Sequence, residues 1–157
     1  MLGHYKTMTS SELIRRSVSV ESSSTAIIKV CKQLLAEIES SNYSTEESFS
    51  VHLALEEAFI NAIKHGNKMD SSKAVHIDYV ISPERIEITM TDDGNGFDPK
   101  SIPDPRAEEN LYKTEGRGLF LISAYMDEVE FNEAGNRIHM IKYRTKPKLA
   151  KAKRQAH

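Results

Sequence analysis

Two segments near the middle of the chain, residues 75–80 and 85–91, alternate apolar and polar residues on either side of Ser82-Pro83-Glu84. A period of two sends successive side chains to opposite faces of an extended strand, so the pair reads as antiparallel strands with one apolar face. Such a face is stable only when something covers it, and the rest of the chain has to supply amphipathic helices to do so.

Two helices are legible. After a first strand in residues 13–20, Ser23 or Ser24 supplies an N-cap for a stretch in which Ile27, Ile28, Cys31, Leu34, Leu35 and Ile38 recur at three and four. Thr45, Glu46, Glu47 and Ser48 open a second helix, because acidic residues favour the positive end of the helix dipole. This helix is expected to run to about His65, with Gly66 and Asn67 as its stop. Residues 98–115 are polar and proline-bearing, and a loop of that length inside a small domain reads as a lid or binding loop. A short buried helix follows Gly116. A last hairpin, residues 129–132 and 137–143, turns at Glu133-Ala134-Gly135-Asn136. The expected order is strand, helix, helix, strand, strand, lid, helix, strand, strand. That is an α+β two-layer sandwich with a mixed, mostly antiparallel sheet and the helices on one face.

At 157 residues with a formal net charge of -2, the chain has the size of one domain and no overall basic field for nucleic acid or an anionic membrane. Residues 1–12 read as a loose lead-in, 13–144 as the domain and 145–157 as a basic flexible tail, solvated in preference to bound. A single cysteine, Cys31, excludes an internal disulfide and a cysteine metal cage, and reads as a buried apolar side chain. No apolar run reaches the roughly twenty residues that span a bilayer, and the N-terminus has no signal pattern, so a cytoplasmic protein is expected.

Three motifs carry chemistry. On the second helix Glu57, Asn61 and His65 recur every four residues and fall on one stripe. A carboxylate one turn from an amide oxygen can hold a hydroxyl beside a magnesium ion bound through that amide, as phosphoryl transfer asks. Asp92-Asp93-Gly94-Asn95-Gly96 follows a strand, where an aspartate accepts from an exocyclic amine and glycines let backbone approach a flat ligand. Glu115-Gly116-Arg117-Gly118-Leu119 places two glycines before a helix, where backbone N–H groups meet phosphate oxygens. Each motif alone has an ordinary reading: a solvated helix face, a turn, a glycine pair before any helix. No Walker A pattern occurs.

In this fixed order the motifs resemble the N, G1 and G2 boxes of the histidine-kinase-like (GHKL) ATPase superfamily, over residues 22–144. Gly116-Arg117-Gly118-Leu119-Phe120-Leu121-Ile122, Met126-Asp127-Glu128-Val129 and Asn61-Ala62-Ile63-Lys64-His65-Gly66 look like the anti-sigma factor serine/threonine kinases within it. The resemblance implies ATP and Mg²⁺ as cofactors, with Asn61 on the metal, Asp92 on the adenine amino group, and Gly94 and Gly96 beside the base. It places Gly116, Gly118 and Leu119 at the phosphates, and Glu57 as general base. Lys64 either reaches a phosphate or is a surface lysine, and Arg117 either touches phosphate or anchors the lid. His65 is read as packed or helix-ending, and Asp127 as bracing the turn into the next strand. The implied partners are a sigma factor and a small antagonist phosphorylated on serine, and a homodimer is suggested. A non-catalytic, ATP-dependent protein-binding switch is the alternative. One departure stands out: several relatives carry threonine after the glycine of the last hairpin, where this chain has Gly135-Asn136-Arg137.

Overall fold

The computed structural model describes residues 13–94 and 117–145, of residues 117–119 the backbone alone. The lead-in (1–12), the stretch 95–116 with Gly96, Gly116 and the expected lid, and the tail 146–157 lie outside the described residues.

The chain forms β1 (Ile14–Glu21), α1 (Ser24–Ser40), α2 (Thr45–Ile60), a π-helical turn (Asn61–Gly66), β2 (Ala74–Ile81), β3 (Arg85–Asp92), α3 (Arg117–Tyr125), β4 (Glu128–Phe131) and β5 (Arg137–Tyr143). The order is the expected one. The strands make one sheet in the order β1-β2-β3-β5-β4. Every described pairing is antiparallel, so the mixed sheet anticipated from sequence is antiparallel throughout these strands. The hairpins β2–β3 and β4–β5 require this, and the helical connections return each remaining strand against its neighbour.

Alternation becomes burial in β2 and β3, whose inward residues are the buried ones. Across the sheet Tyr79 faces Ile88 and Ile88 faces Met140; Ile77 faces Met90 and Met90 faces Ile138. Ile77, Ile88 and Met140 are wholly enclosed, each contributing roughly 2 kcal/mol of apolar burial. Helix α1 covers this layer with Ile27, Val30, Cys31, Leu34 and Ile38. Ile28, expected in that stripe, is instead 54% exposed, and Val30 takes its place. The sequence allows a stripe through either residue, and the sheet selects the one centred on Leu34 and Ile38.

Caps set the helix starts. Ser23 is the extended N-cap of α1 and accepts from Ala26 N. Ser44, one residue before the expected start of α2, forms a capping box with Glu47: Glu47 N donates to Ser44 Oγ at 3.0 Å, and Ser44 N to Glu47 Oε1 at 2.7 Å.

The same glutamate ties down the end of β5. Thr145 N donates to Glu47 Oε2 at 2.6 Å. Next to it, the Arg144 guanidinium donates to Asn42 O at 2.6 Å, to Ser41 O at 2.8 Å and to Pro83 O, and lies 4.0 Å over the Tyr43 ring. Tyr43 Oη donates to Ser82 O at 2.5 Å. This cluster joins the α1–α2 loop, the β2–β3 turn and the last strand. Burial pushes the Glu47 carboxyl up, but hydrogen bonds from Ser44 and Thr145 outweigh it and hold the group below its usual range.

Two outcomes follow from this cluster. Arg144→Ala is expected to cost about 2 kcal/mol, a fall in Tm of roughly 5 °C by calorimetry. A carboxyl whose folded pKa is depressed contributes stability above its unfolded pKa and loses it as pH falls through the folded one. Denaturant unfolding of Glu47→Gln should therefore show its largest deficit at neutral pH, narrowing as pH falls below about 4. A deficit that does not change with pH removes the ionised Glu47 from the account.

Candidate functional site

The end of the sheet opposite Arg144 holds the polar residues singled out from sequence. It is built on the last residue of β3. Asp92 is buried, at 7% exposure, and its backbone is fixed on the β5 side by Asp92 N donating to Asn136 O at 2.9 Å. Gly94 N donates to its Oδ1 at 2.8 Å. Burial pushes the Asp92 carboxyl above its ordinary range; the Gly94 N–H opposes this, the neighbouring Asp93 adds to it, and Lys73 counters.

The helical side reaches Asp92 through the π-helical turn. After Ile60 the backbone widens, and Asn67 N closes the turn on Ala62 O at 2.7 Å, five residues back. Gly66 comes against the carboxylate so closely that a Cβ on it would lie 2.2 Å from Asp92 Cγ; a Cβ on Gly94 would lie 1.9 Å from Gly66 O. Asn67, wholly enclosed, fixes the approach. Its Oδ1 accepts from Asp93 N at 2.9 Å and its Nδ2 donates to Ala74 O at 3.0 Å.

Two expectations change here. The helix was expected to continue to His65; the π turn rotates the residues after Asn61, and both Lys64 and His65 are exposed. Gly66 and Asn67 were expected to stop it in the left-handed conformation. The left-handed residues are Lys68 (φ 50°) and Met69 (φ 64°), and Gly66 serves close approach to Asp92.

Asn61 begins the π turn, and its Nδ2 is buried with no hydrogen-bond partner among the described residues. An unpaired buried amide costs about 1–3 kcal/mol, so a site that keeps one gains by being completed from outside the chain. Turning that amide over puts its oxygen in the same place. Asn61 and Asp92 line one cleft, together with Ala58, Met90, Phe131 and Asn136.

Of the other residues expected at the site, Glu57 is half-buried on α2 one turn before Asn61 and, like Lys64, does not line the cleft. Gly94 adjoins it through Asp92. Arg117, Gly118 and Leu119 form the first turn of α3, as expected for a helix start; Gly96 and Gly116 lie outside the described residues. Sequence reasoning missed Phe131, Asn132 and Asn67 as site residues. Asn67 was legible only as a helix stop, and Asn132 only as the end of a strand.

Among the described residues no group of three His, Cys, Asp or Glu is placed to hold a metal, and no helix is long and apolar enough to cross a membrane.

Residues 20–142 match the histidine kinase-like ATPase domain family. The serine-protein kinase RsbW of Oceanobacillus iheyensis is 33% identical over 108 residues, 64% of this chain and 68% of that one. Its counterpart in Staphylococcus epidermidis is 39% identical over 99 residues, 58% of this chain, and the match spans 62% of that protein's length. The Listeria monocytogenes protein of the same name is 28% identical over 108 residues, 64% of this chain and 69% of its own. Among solved structures, that of the RsbU and RsbW domains of a Mycobacterium tuberculosis protein has a TM-score of 0.58 at 14% identity, covering 85% of this chain and 33% of that one. That likeness concerns the fold. The motif order, the cleft between α2 and β3, and these matches agree: the chain belongs to the histidine kinase-like ATPase family, on its anti-sigma serine-kinase branch.

Proposed function

We propose that this chain binds Mg·ATP in the cleft and transfers the γ-phosphoryl group to a serine of a small antagonist protein, holding a sigma factor in the alternate state of that cycle. The observation that carries the reading is the pairing, in one cleft, of a buried carboxylate with an unpaired buried amide. In this reading Asp92 accepts from the adenine amino group, with Gly94 and Gly96 keeping backbone close to the base. The Asn61 amide oxygen holds Mg²⁺, which neutralises charge on the phosphates when bound. Backbone N–H groups at Gly118 and Leu119, in the first turn of α3, and at Gly116 line the phosphates, with Arg117 and Lys64 as the cations assigned to them in this reading. Glu57 takes the proton from the acceptor serine as its oxygen bonds to phosphorus and the bond to the ADP oxygen breaks. A cytoplasmic homodimer accompanies this reading.

That Glu57 does not line the cleft favours keeping a second reading, an ATP-dependent protein-binding switch without transfer. Retention of a partner only with ATP, with no phosphate transferred to it, selects that reading.

With γ-labelled ATP and candidate antagonists, Glu57→Ala should lower acid-stable transfer by about 10²- to 10⁴-fold and leave nucleotide Kd within about threefold. Unchanged transfer eliminates Glu57 as base.

Asp92 generates an outcome of opposite sign for binding and for stability. A carboxyl whose folded pKa is raised contributes stability below its unfolded pKa and loses it as pH rises through the folded one, so at neutral pH the ionised group is a cost to the empty protein. Asp92→Asn should bind ADP at least about tenfold more weakly while its ligand-free Tm is equal or higher. A lower Tm with undiminished binding contradicts the assignment.

A further inference from the structure

Helix α2 turns one apolar face away from the sheet. Phe49 is 57% exposed and Ile60 41%, and the half-buried Leu53 lies between them at a spacing of four and then seven, which puts all three on one stripe. Glu46 and Glu57 flank that stripe on one side and Glu56 on the other. The helix holds four glutamates and no lysine or arginine. Glu56 lies 3.0 Å from His52, one turn back, and among the described residues no lysine or arginine forms an ion pair with Glu46, Glu56 or Glu57. An apolar stripe edged by unpaired carboxylates marks an interaction surface, and it suits a cationic segment that carries an apolar residue within it.

The chain supplies such a segment where that face begins. The described backbone ends at Thr145, whose N–H donates to Glu47 Oε2 at 2.6 Å in the first turn of α2. Residues 146–157 continue from there with Lys146, Lys148, Lys151, Lys153 and Arg154, no acidic residue, and Leu149 as their one large apolar side chain. Twelve residues reach at most about 40 Å, and the sixteen residues of α2 are about 24 Å long. Leu149, four residues past Thr145, has a reach of about 13 Å, and Leu53 stands about 9 Å along the axis from Glu47. Lys151, Lys153 and Arg154 reach Glu56 and Glu57, about 15 Å along. We propose that residues 146–157 dock on the outer face of α2 of their own chain, with Leu149 against Phe49 and Leu53 and the following cations beside Glu56 and Glu57. Composition alone favours a solvated tail, and the tether shifts that balance. An exposed ion pair adds at most about fivefold to an affinity, so the segment binds weakly as a separate molecule. Fixed at Glu47, it meets the face at an effective concentration of the order of millimolar, which occupies a millimolar site about half of the time.

The test is a nitroxide label on Ala152→Cys in the full chain, read as relaxation of the backbone amide signals by nuclear magnetic resonance. Cys31 is buried, and the wild-type chain treated with the same reagent is the blank. Paramagnetic relaxation is expected to be strongest on residues 49–57 and at least about threefold weaker on β1. Leu149→Ser, which lies outside the described elements, and Glu56→Lys, at an exposed position, should each lower it on α2 by about threefold. Raising the ionic strength to about 0.5 M should lower it as well, because exposed charges are screened there. Relaxation no stronger on α2 than on β1 overturns the docking, as does a strong effect on α2 that survives both substitutions. An effect equally strong when label and observed amides sit on different molecules assigns the face to a second copy and overturns docking within one chain.

Discussion

A carboxylate buried at the end of a central strand constrains everything around it. Asp92 terminates β3, which is paired on both sides, so its position is set by the sheet and not by the helices. The helical layer has to come to it, and it does so with the one residue type that leaves room: a Cβ on Gly66 would lie 2.2 Å from the carboxylate carbon. Gly94 then folds over the same spot, where a Cβ would meet Gly66 O at 1.9 Å. The two glycines are 28 positions apart in the chain and close on one another through Asp92. Their conservation of space shapes a cleft whose floor is polar and whose walls, Ala58, Met90, Phe131 and Ile138, are apolar.

The π turn is what allows that approach. A regular α-helix continued past Ile60 would keep Asn61 and His65 on one stripe and carry the backbone straight on. Widening the turn, with Asn67 N returning to Ala62 O, leaves Asn61 facing the cleft while His65 goes to solvent. The cost is met locally, by the fully enclosed Asn67 joining Asp93 N to Ala74 O, and by Lys68 and Met69 in left-handed conformations that turn the chain into β2. Single π turns are frequent at functional sites for this reason: they re-aim one side chain without dismantling the helix.

How much of this was legible depends on the range of the interaction responsible. Period-two alternation in β2 and β3 and the three-and-four spacing of α1 are local, and they give the element order and the two-layer class correctly. Capping is local as well: α2 begins at Thr45 as expected, with Ser44 before it as the cap. The choice between Ile28 and Val30 on α1 is not local, because it is made by the sheet beneath. The π turn left no mark in hydrophobic pattern, since its cause is the demand of Asp92 for a glycine at the right height. Asn61 and Asp92 were singled out because three motifs, each ordinary alone, stand in one fixed order that resembles the N, G1 and G2 boxes. Asn132 and Asn67 escaped because their work is to hold other residues, and an asparagine at a turn is the commonest thing an asparagine does.

The two ends of the sheet divide the work between stability and binding. At the far end Arg144 and Tyr43 donate to backbone carbonyls and Thr145 N donates to Glu47, so the cluster ties the α1–α2 loop, the β2–β3 turn and the last strand together. At the cleft the balance is reversed. Asn61 Nδ2 has no partner among the described residues, Asp92 is held as a buried carboxylate against its desolvation, and the Asn136 amide makes only a long bond, 3.4 Å, to Asp92 O. Each of these is unfavourable to the empty protein and favourable once a ligand brings the missing donor, acceptor or cation. About 20 Å of β5 separates Arg137 at the cleft from Tyr143 beside the knot, far enough that the satisfied end can hold the sheet in place while the unsatisfied end waits to be completed. A domain of this size has little stability to spare, and concentrating its fully satisfied polar contacts away from the cleft lets a strained site persist without unfolding the strand that carries it.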